Sequence, residues 1–195
     1  MNQTLYLIRH GHSLHNELFH TLGVKAFRIK ETIDAPLTVI GEQQSIELGN
    51  SWKNKHEIEL VLVSPLMRAL QTTANIFNDT TIPIICKEFI REYPIGEDTC
   101  NQRSDLSTMK HQFSQIDFSE IEEMKDIYWS EERETIESLN QRIELMETYI
   151  RERKETKIAI IGHGSFIGHL KDNHMPYAEN GDDELKHCYP YEYHL

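Results

Sequence analysis

Three stretches of this chain, two with histidine beside glycine and two with arginine, suit phosphoryl chemistry. The first, Arg9-His10-Gly11-His12-Ser13 with Asn16 behind it, sets a guanidinium beside an imidazole. A neutral imidazole can attack phosphorus, and the attack needs nearby cations to neutralise the phosphoryl oxygens as the bond forms. Arg9 is placed to be one of them. Gly11 lets the backbone approach a ligand or turn sharply, while Asn16 can either donate to a phosphate oxygen or cap a helix. The second stretch, Ser64-Pro65-Leu66-Met67-Arg68, puts another guanidinium at a helix start, where exposed N–H groups favour anions. The third, Gly162-His163-Gly164-Ser165, brings in a second histidine between small neighbours. His12, His15 and His20 invite a metal reading, but carboxylates at matching spacing do not accompany them, so no metal is expected.

Each stretch needs an element to carry it. Apolar runs at Leu5–Ile8, Leu60–Val63, Ile82–Ile85 and Ile158–Ile161 are bounded by polar residues, glycine or proline, as buried parallel strands are. Three of the four lead into the chemistry-bearing residues. Between them lie helical patterns. Thr38 caps a helix from about Ile40 to Lys53 with Ile46, Gly49 and Trp52 on its packed stripe, and Gly49 permits close packing. Ser64 and Pro65 read as N-cap and first helical residue of a second helix. The clearest helix runs from Thr135 to Lys154, with Ile136, Leu139, Ile143, Met146 and Ile150 at helical spacing. Alternating strands and helices predict an α/β fold, a three-layer sandwich with a mainly parallel central sheet, whose ligand site lies beyond the carboxyl ends of the strands. Residues 94–129 are polar and lack a long period; they read as an inserted, lid-like region or a plain surface loop. Ser119 and Glu122, at capping-box spacing, predict a short helix there carrying Met124 and Ile127.

Composition narrows the partners. The 195 residues suit one domain over 1–195. A net charge of -12 repels polyanions, which argues against nucleic acid and anionic membranes. Cys86, Cys100 and Cys188 are odd in number and widely spaced, so free thiols in a reducing compartment are expected. Without a leader-like start or a membrane-length apolar run, the expected location is the cytoplasm.

Taken together, Arg9-His10-Gly11 with Asn16, Ser64-Pro65 with Arg68, and Gly162-His163-Gly164 resemble the histidine phosphatase, or phosphoglycerate mutase-like, superfamily. Asp34-Ala35-Pro36-Leu37-Thr38 with Gly41 and Gln44, Ile90-Arg91-Glu92 with Gly96, and the tail Leu185–Pro190 extend the resemblance along most of the chain. It implies that His10 is the nucleophile and that Arg9, Asn16, Arg68 and His163 bind the phosphoryl group. It also implies that Glu92 is the proton donor, with Glu88 and Glu97 as nearby rivals. The activity so implied is that of a metal-independent, acid-type phosphatase of the broad phosphatase branch, needing no cofactor and acting on a small phosphorylated substrate or a phosphoprotein. A mutase returning the phosphoryl group to phosphoglycerate is the alternative, and an inactive binding or scaffold protein a second. The loop Glu92-Tyr93-Pro94-Ile95-Gly96 departs from the mutase pattern. Between Pro94 and Trp129 the fixed cations are Arg103, Lys110 and Lys125, few for clamping a doubly anionic acid.

Overall fold

The computed structural model describes residues 3–172 and 185–195. Five strands, β1 (Thr4–Arg9), β2 (Leu60–Val63), β3 (Ile84–Cys86), β4 (Lys157–Gly162) and β5 (Pro190–His194), form one sheet in the order β3-β2-β4-β1-β5. The first four are parallel and β5 runs antiparallel to β1. Apolar runs, rather than alternating ones, form these strands because both faces are covered. Leu5, Leu7, Leu60, Leu62, Ile158 and Ile160 pack on one face beneath α5 (Ile136–Arg151) and α6 (Gly164–Asp172). Tyr6, Ile8, Val61, Val63, Ala159 and Ile161 point the other way, beneath α2 (Val39–Ser51) and α3 (Met67–Ile76). This is the α/β sandwich expected from the pattern. β3 starts later than the apolar run suggested, since Pro83 has no N–H to donate and offers only its carbonyl to Val61 N.

The pattern misplaces three details. In α2, Thr38 caps as expected by accepting from Gly41 N, but Ile46 is 46% exposed and the buried stripe is Gly41, Ser45, Leu48 and Gly49. Small residues form it because other backbone comes close: a Cβ on Gly49 would stand 3.0 Å from the Ile76 carbonyl oxygen. In α3 the N-cap is Leu66 rather than Ser64, whose hydroxyl faces another group. Within 94–129, Met124 and Ile127 are 55% and 59% exposed and carry no helix. The helix there is α4 (Leu106–Gln112), and Leu106, Met109, Phe113, Ile116, Phe118 and Ile121 join the sheet's core. Much of this supposed insertion is therefore a packed layer, with irregular apolar spacing that hides it from a periodicity search.

The closest approach in the fold holds the first histidine loop. A Cβ on Gly11 would lie 2.5 Å from the Gly41 carbonyl oxygen, and one on Gly41 would lie 2.0 Å from that of His12. Gly11 is thus required by its contact with α2. Replacing Gly41 by alanine must push α2 and the loop apart, an overpacking cost of about 1–3 kcal/mol that lowers Tm by roughly 3–10 °C. An unchanged melting curve for Gly41→Ala would contradict this account of the loop.

Candidate active site

The sheet order brings the chemistry together. β4 lies between β1 and β2, so His163 emerges between the His10 loop and the start of α3. The ladders continue past the strand ends: His10 N donates to the Gly162 carbonyl at 3.0 Å and Ser64 N to the Ile161 carbonyl at 3.1 Å. From β3 the chain runs through a short 3-10 turn, Glu88–Ile90, to deliver Glu92 against the start of α6.

His10 is 2% exposed. Its Nδ1 lies 2.7 Å from the Gly11 carbonyl oxygen, which can only accept, so Nδ1 carries the proton. Nε2 therefore presents its lone pair, and Arg68 Nε donates to it at 3.1 Å. Burial lowers the His10 pKa well below its ordinary value, and the charges of Arg68, His163, His187 and Arg9 add to the effect. The ring is neutral at neutral pH, the state a nucleophile needs. Arg68 is fully buried; Nη1 donates to the Cys100 carbonyl at 2.7 Å and Nη2 to Asn101 Oδ1 at 2.8 Å. Those contacts hold its fork rigidly beside His10. The His163 ring centroid lies 5.1 Å from that of His10, and its Nε2 lies 2.7 Å from Ser64 Oγ. Its Nδ1 is buried without a hydrogen-bond partner among the described residues.

Glu92 is 7% exposed. Its Oε1 accepts from Tyr93 N and Phe166 N, and Oε2 from Ser165 N at 3.3 Å. Burial raises its pKa, against the lowering effect of these N–H donors and of Arg68. The rivals have other work. Glu88 is bound by Arg91 and Arg103, and Glu97 by Arg28 and Arg133, with the bond to Arg133 lowering its pKa. Arg103 also donates to the Ser104, Glu123 and Lys125 carbonyls, so it braces the loop from inside. Beside His10 opens a cavity of about 270 Å³ whose walls include His15, Arg68, Glu92 and Ser165.

A model of the histidine phosphatase superfamily (branch 1) matches residues 5–181. The chain belongs to this superfamily. An Arabidopsis thaliana protein named phosphoglycerate mutase-like protein 1 is 32% identical, over 86% of this chain and 70% of its own. Among solved structures, the alpha-ribazole phosphatase of Shigella flexneri has a TM-score of 0.62 at 19% identity, covering 95% of this chain and 87% of that one. A mycobacterial glucosyl-3-phosphoglycerate phosphatase has a TM-score of 0.57 at 16% identity, covering 88% and 81%. At such identities the likeness is one of fold.

Other residues of the superfamily pattern brace the His10 loop and the start of α3. Thr38 Oγ1 donates to the His12 carbonyl, Gln44 Oε1 accepts from His12 N, and Asp34 accepts from Met67 N and Ser104 N. Arg9, 1% exposed, donates from Nη1 to the Leu185 carbonyl at 2.7 Å, which ties the loop to the C-terminal tail. Asn16 Oδ1 accepts from Ser13 N and Oγ in a capping box, which leaves its NH2 as the group a phosphate oxygen would use. His12, His15 and His20 do not converge: His12 bonds Thr38, His15 bonds Ser13, and His20 is exposed on α1 (Leu14–Leu22). Sequence reasoning missed four neighbours. The buried His15 ring lies 5.9 Å from His10, and His187 Nδ1 donates to the His10 carbonyl at 2.6 Å. Ser64 enters the sequence reading as a cap and as part of the Ser64-Pro65 motif, with no role for its hydroxyl, and Asn101, which orients Arg68, carries no signal. The polar identity of Ser64 at a strand's carboxyl end was a clue available from the pattern alone.

Proposed function

We propose that this protein is a phosphomonoester hydrolase in which His10 Nε2 takes the phosphoryl group and water removes it. One observation carries the reading: the Gly11 carbonyl fixes the His10 proton on Nδ1, so the single Nε2 lone pair is left for attack, and the Arg68 Nε–H that binds it moves to a phosphoryl oxygen as phosphorus arrives. As the N–P bond forms, the bond from phosphorus to the leaving oxygen breaks. Arg68, Arg9 and the NH2 of Asn16 draw off the charge on the phosphoryl oxygens. His163 fits the same task, because its orphaned Nδ1 would be satisfied by a phosphoryl oxygen. Glu92, buried with a raised pKa, gives its proton to the leaving oxygen and as carboxylate then takes one from the attacking water. Glu88 and Glu97 are both held in ion pairs, which favours Glu92 in this role.

Water is favoured as acceptor because the loop offers little to retain a second anionic substrate. Arg103 is internal, while Lys110 and Lys125 are exposed outside the cavity wall. Cys86, Cys100 and Cys188 are free thiols, which fits a reducing compartment such as the cytoplasm. The test is a panel of phosphomonoesters assayed in EDTA, beside 3-phosphoglycerate with catalytic bisphosphoglycerate. Phosphate release without isomer interconversion is expected. Interconversion outpacing release would make the protein a mutase, inactivity throughout would favour a binding role, and activity restored only by a divalent ion would overturn the metal-free mechanism.

A further inference from the structure

The cavity beside His10 has walls of two kinds. His15, Arg68 and Glu92 line it, and so do Phe19, Val24, Phe27, Tyr93 and Pro94. Phe19 and Phe27 stack with ring centroids 5.3 Å apart and planes 8° apart. They come from α1 and the 3-10 turn Gly23–Phe27 that follows it. Their side of the cavity opens to solvent, for Phe19 is 39% and Val24 65% exposed. Ring contacts lead from the nucleophile to this wall: His10 to His15 at 5.9 Å, then His15 to Phe27 at 5.7 Å. His15 and Arg68, which line the cavity, both touch His10, so this is the space next to the nucleophile.

The cations near this wall are already balanced. Arg28 pairs with Glu97 at 2.7 Å and with Asp98 at 3.1 Å, and Arg133 pairs with Glu97 at 2.8 Å. Arg133 also sits with its guanidinium 5.3 Å from the Tyr93 ring centre. Both guanidiniums are about half exposed, and Asp98 is buried, so what a substrate meets here is the sum of these charges. Two guanidiniums face two carboxylates, and a second anion on the substrate meets no net attraction. The volume of about 270 Å³ falls just below the roughly 300–1,000 Å³ common for ligand sites, which favours a compact group.

We propose that this cavity selects phosphomonoesters whose alcohol is compact, ring-bearing and apolar, and that it discriminates against alcohols carrying a carboxylate. The inference rests on the hydrolase reading for its turnover, but not for its binding. Benzyl phosphate and 3-phosphoglycerate make the comparison, since both have alkyl leaving oxygens and differ in the ring and the carboxylate. Benzyl phosphate is expected to have the larger kcat/KM by about 100-fold, the scale an apolar pocket achieves. Phe19→Ser is expected to lower that ratio about tenfold, and Val24→Arg to lower it by improving 3-phosphoglycerate, with inhibition by inorganic phosphate unchanged in both. Calorimetry with benzylphosphonate and 2-carboxyethylphosphonate reads the same preference without chemistry. Tight, selective benzylphosphonate binding in a protein that hydrolyses nothing would sink the hydrolase reading and leave this one standing. Comparable kcat/KM for the two esters, a ratio unmoved by Phe19→Ser, or no preference between the phosphonates would overturn it.

Discussion

His10→Ala is expected to reduce phosphate release by at least about 10⁴-fold, as loss of a nucleophile does when the remaining groups only bind and polarise. The substitution is local. His10 makes its side-chain bonds to the Gly11 carbonyl and Arg68 Nε, and Arg68 keeps the Cys100 carbonyl and Asn101 Oδ1 without it. The chain should therefore stay folded, with an unchanged circular dichroism spectrum, so the lost activity reports chemistry. A variant within tenfold of the parent would mean that another group attacks phosphorus.

Glu92→Gln is expected to slow hydrolysis of alkyl phosphates by about 10²–10⁴-fold, the usual worth of a general acid. Nitrophenyl phosphate, whose leaving oxygen needs little protonation, should lose less than about tenfold. The pH profile follows from two opposite shifts. Burial lowers His10 from 6.5, so the nucleophile stays neutral as pH falls past that value. Burial raises Glu92 from 4.5, so the acid keeps its proton above that value. Activity on alkyl phosphates should accordingly fall as pH rises through the Glu92 pKa, which lies above 4.5. The glutamine variant should lack that alkaline limb. Equal rates for both substrates in Glu92→Gln, with Glu88→Gln or Glu97→Gln impaired instead, would show that the wrong carboxylate has been assigned.

The part of the fold most readable from sequence was the part whose residues face apolar surroundings on both sides. Leu5–Ile8, Leu60–Val63 and Ile158–Ile161 are buried on both faces of the sheet, so their strands needed no periodicity to be found. β5 was missed because Pro190–His194 is an edge strand of tyrosines and polar residues, most of them partly exposed. α4 and the buried residues after it escaped because Phe113, Ile116, Phe118 and Ile121 follow neither helical nor strand spacing for long. The candidate site was legible where its residues sit beside glycine at strand ends, as His10 and His163 do, or at a helix start after a strand, as Arg68 does. His10, Arg68 and His163 do converge at the carboxyl ends of adjacent strands, and Glu92 lines the same cavity as Arg68. His15, Asn101 and His187 were not legible: His15 stands in the first turn of α1, Asn101 in the 3-10 turn Thr99–Asn101 and His187 beside Arg9 in the tail, so only tertiary packing brings them to the site. His187 in particular stands beside His10 through tail contacts 177 residues away in sequence.

The central claim is that the phosphoryl group passes through His10. A brief incubation with a labelled phosphomonoester, quenched without acid and digested, locates the label by mass spectrometry. Phosphate on a peptide containing His10, absent from His10→Ala and lost on mild acid treatment, is the result the mechanism predicts. Label on a serine or cysteine, or full turnover with no phosphopeptide at any time point, would contradict it.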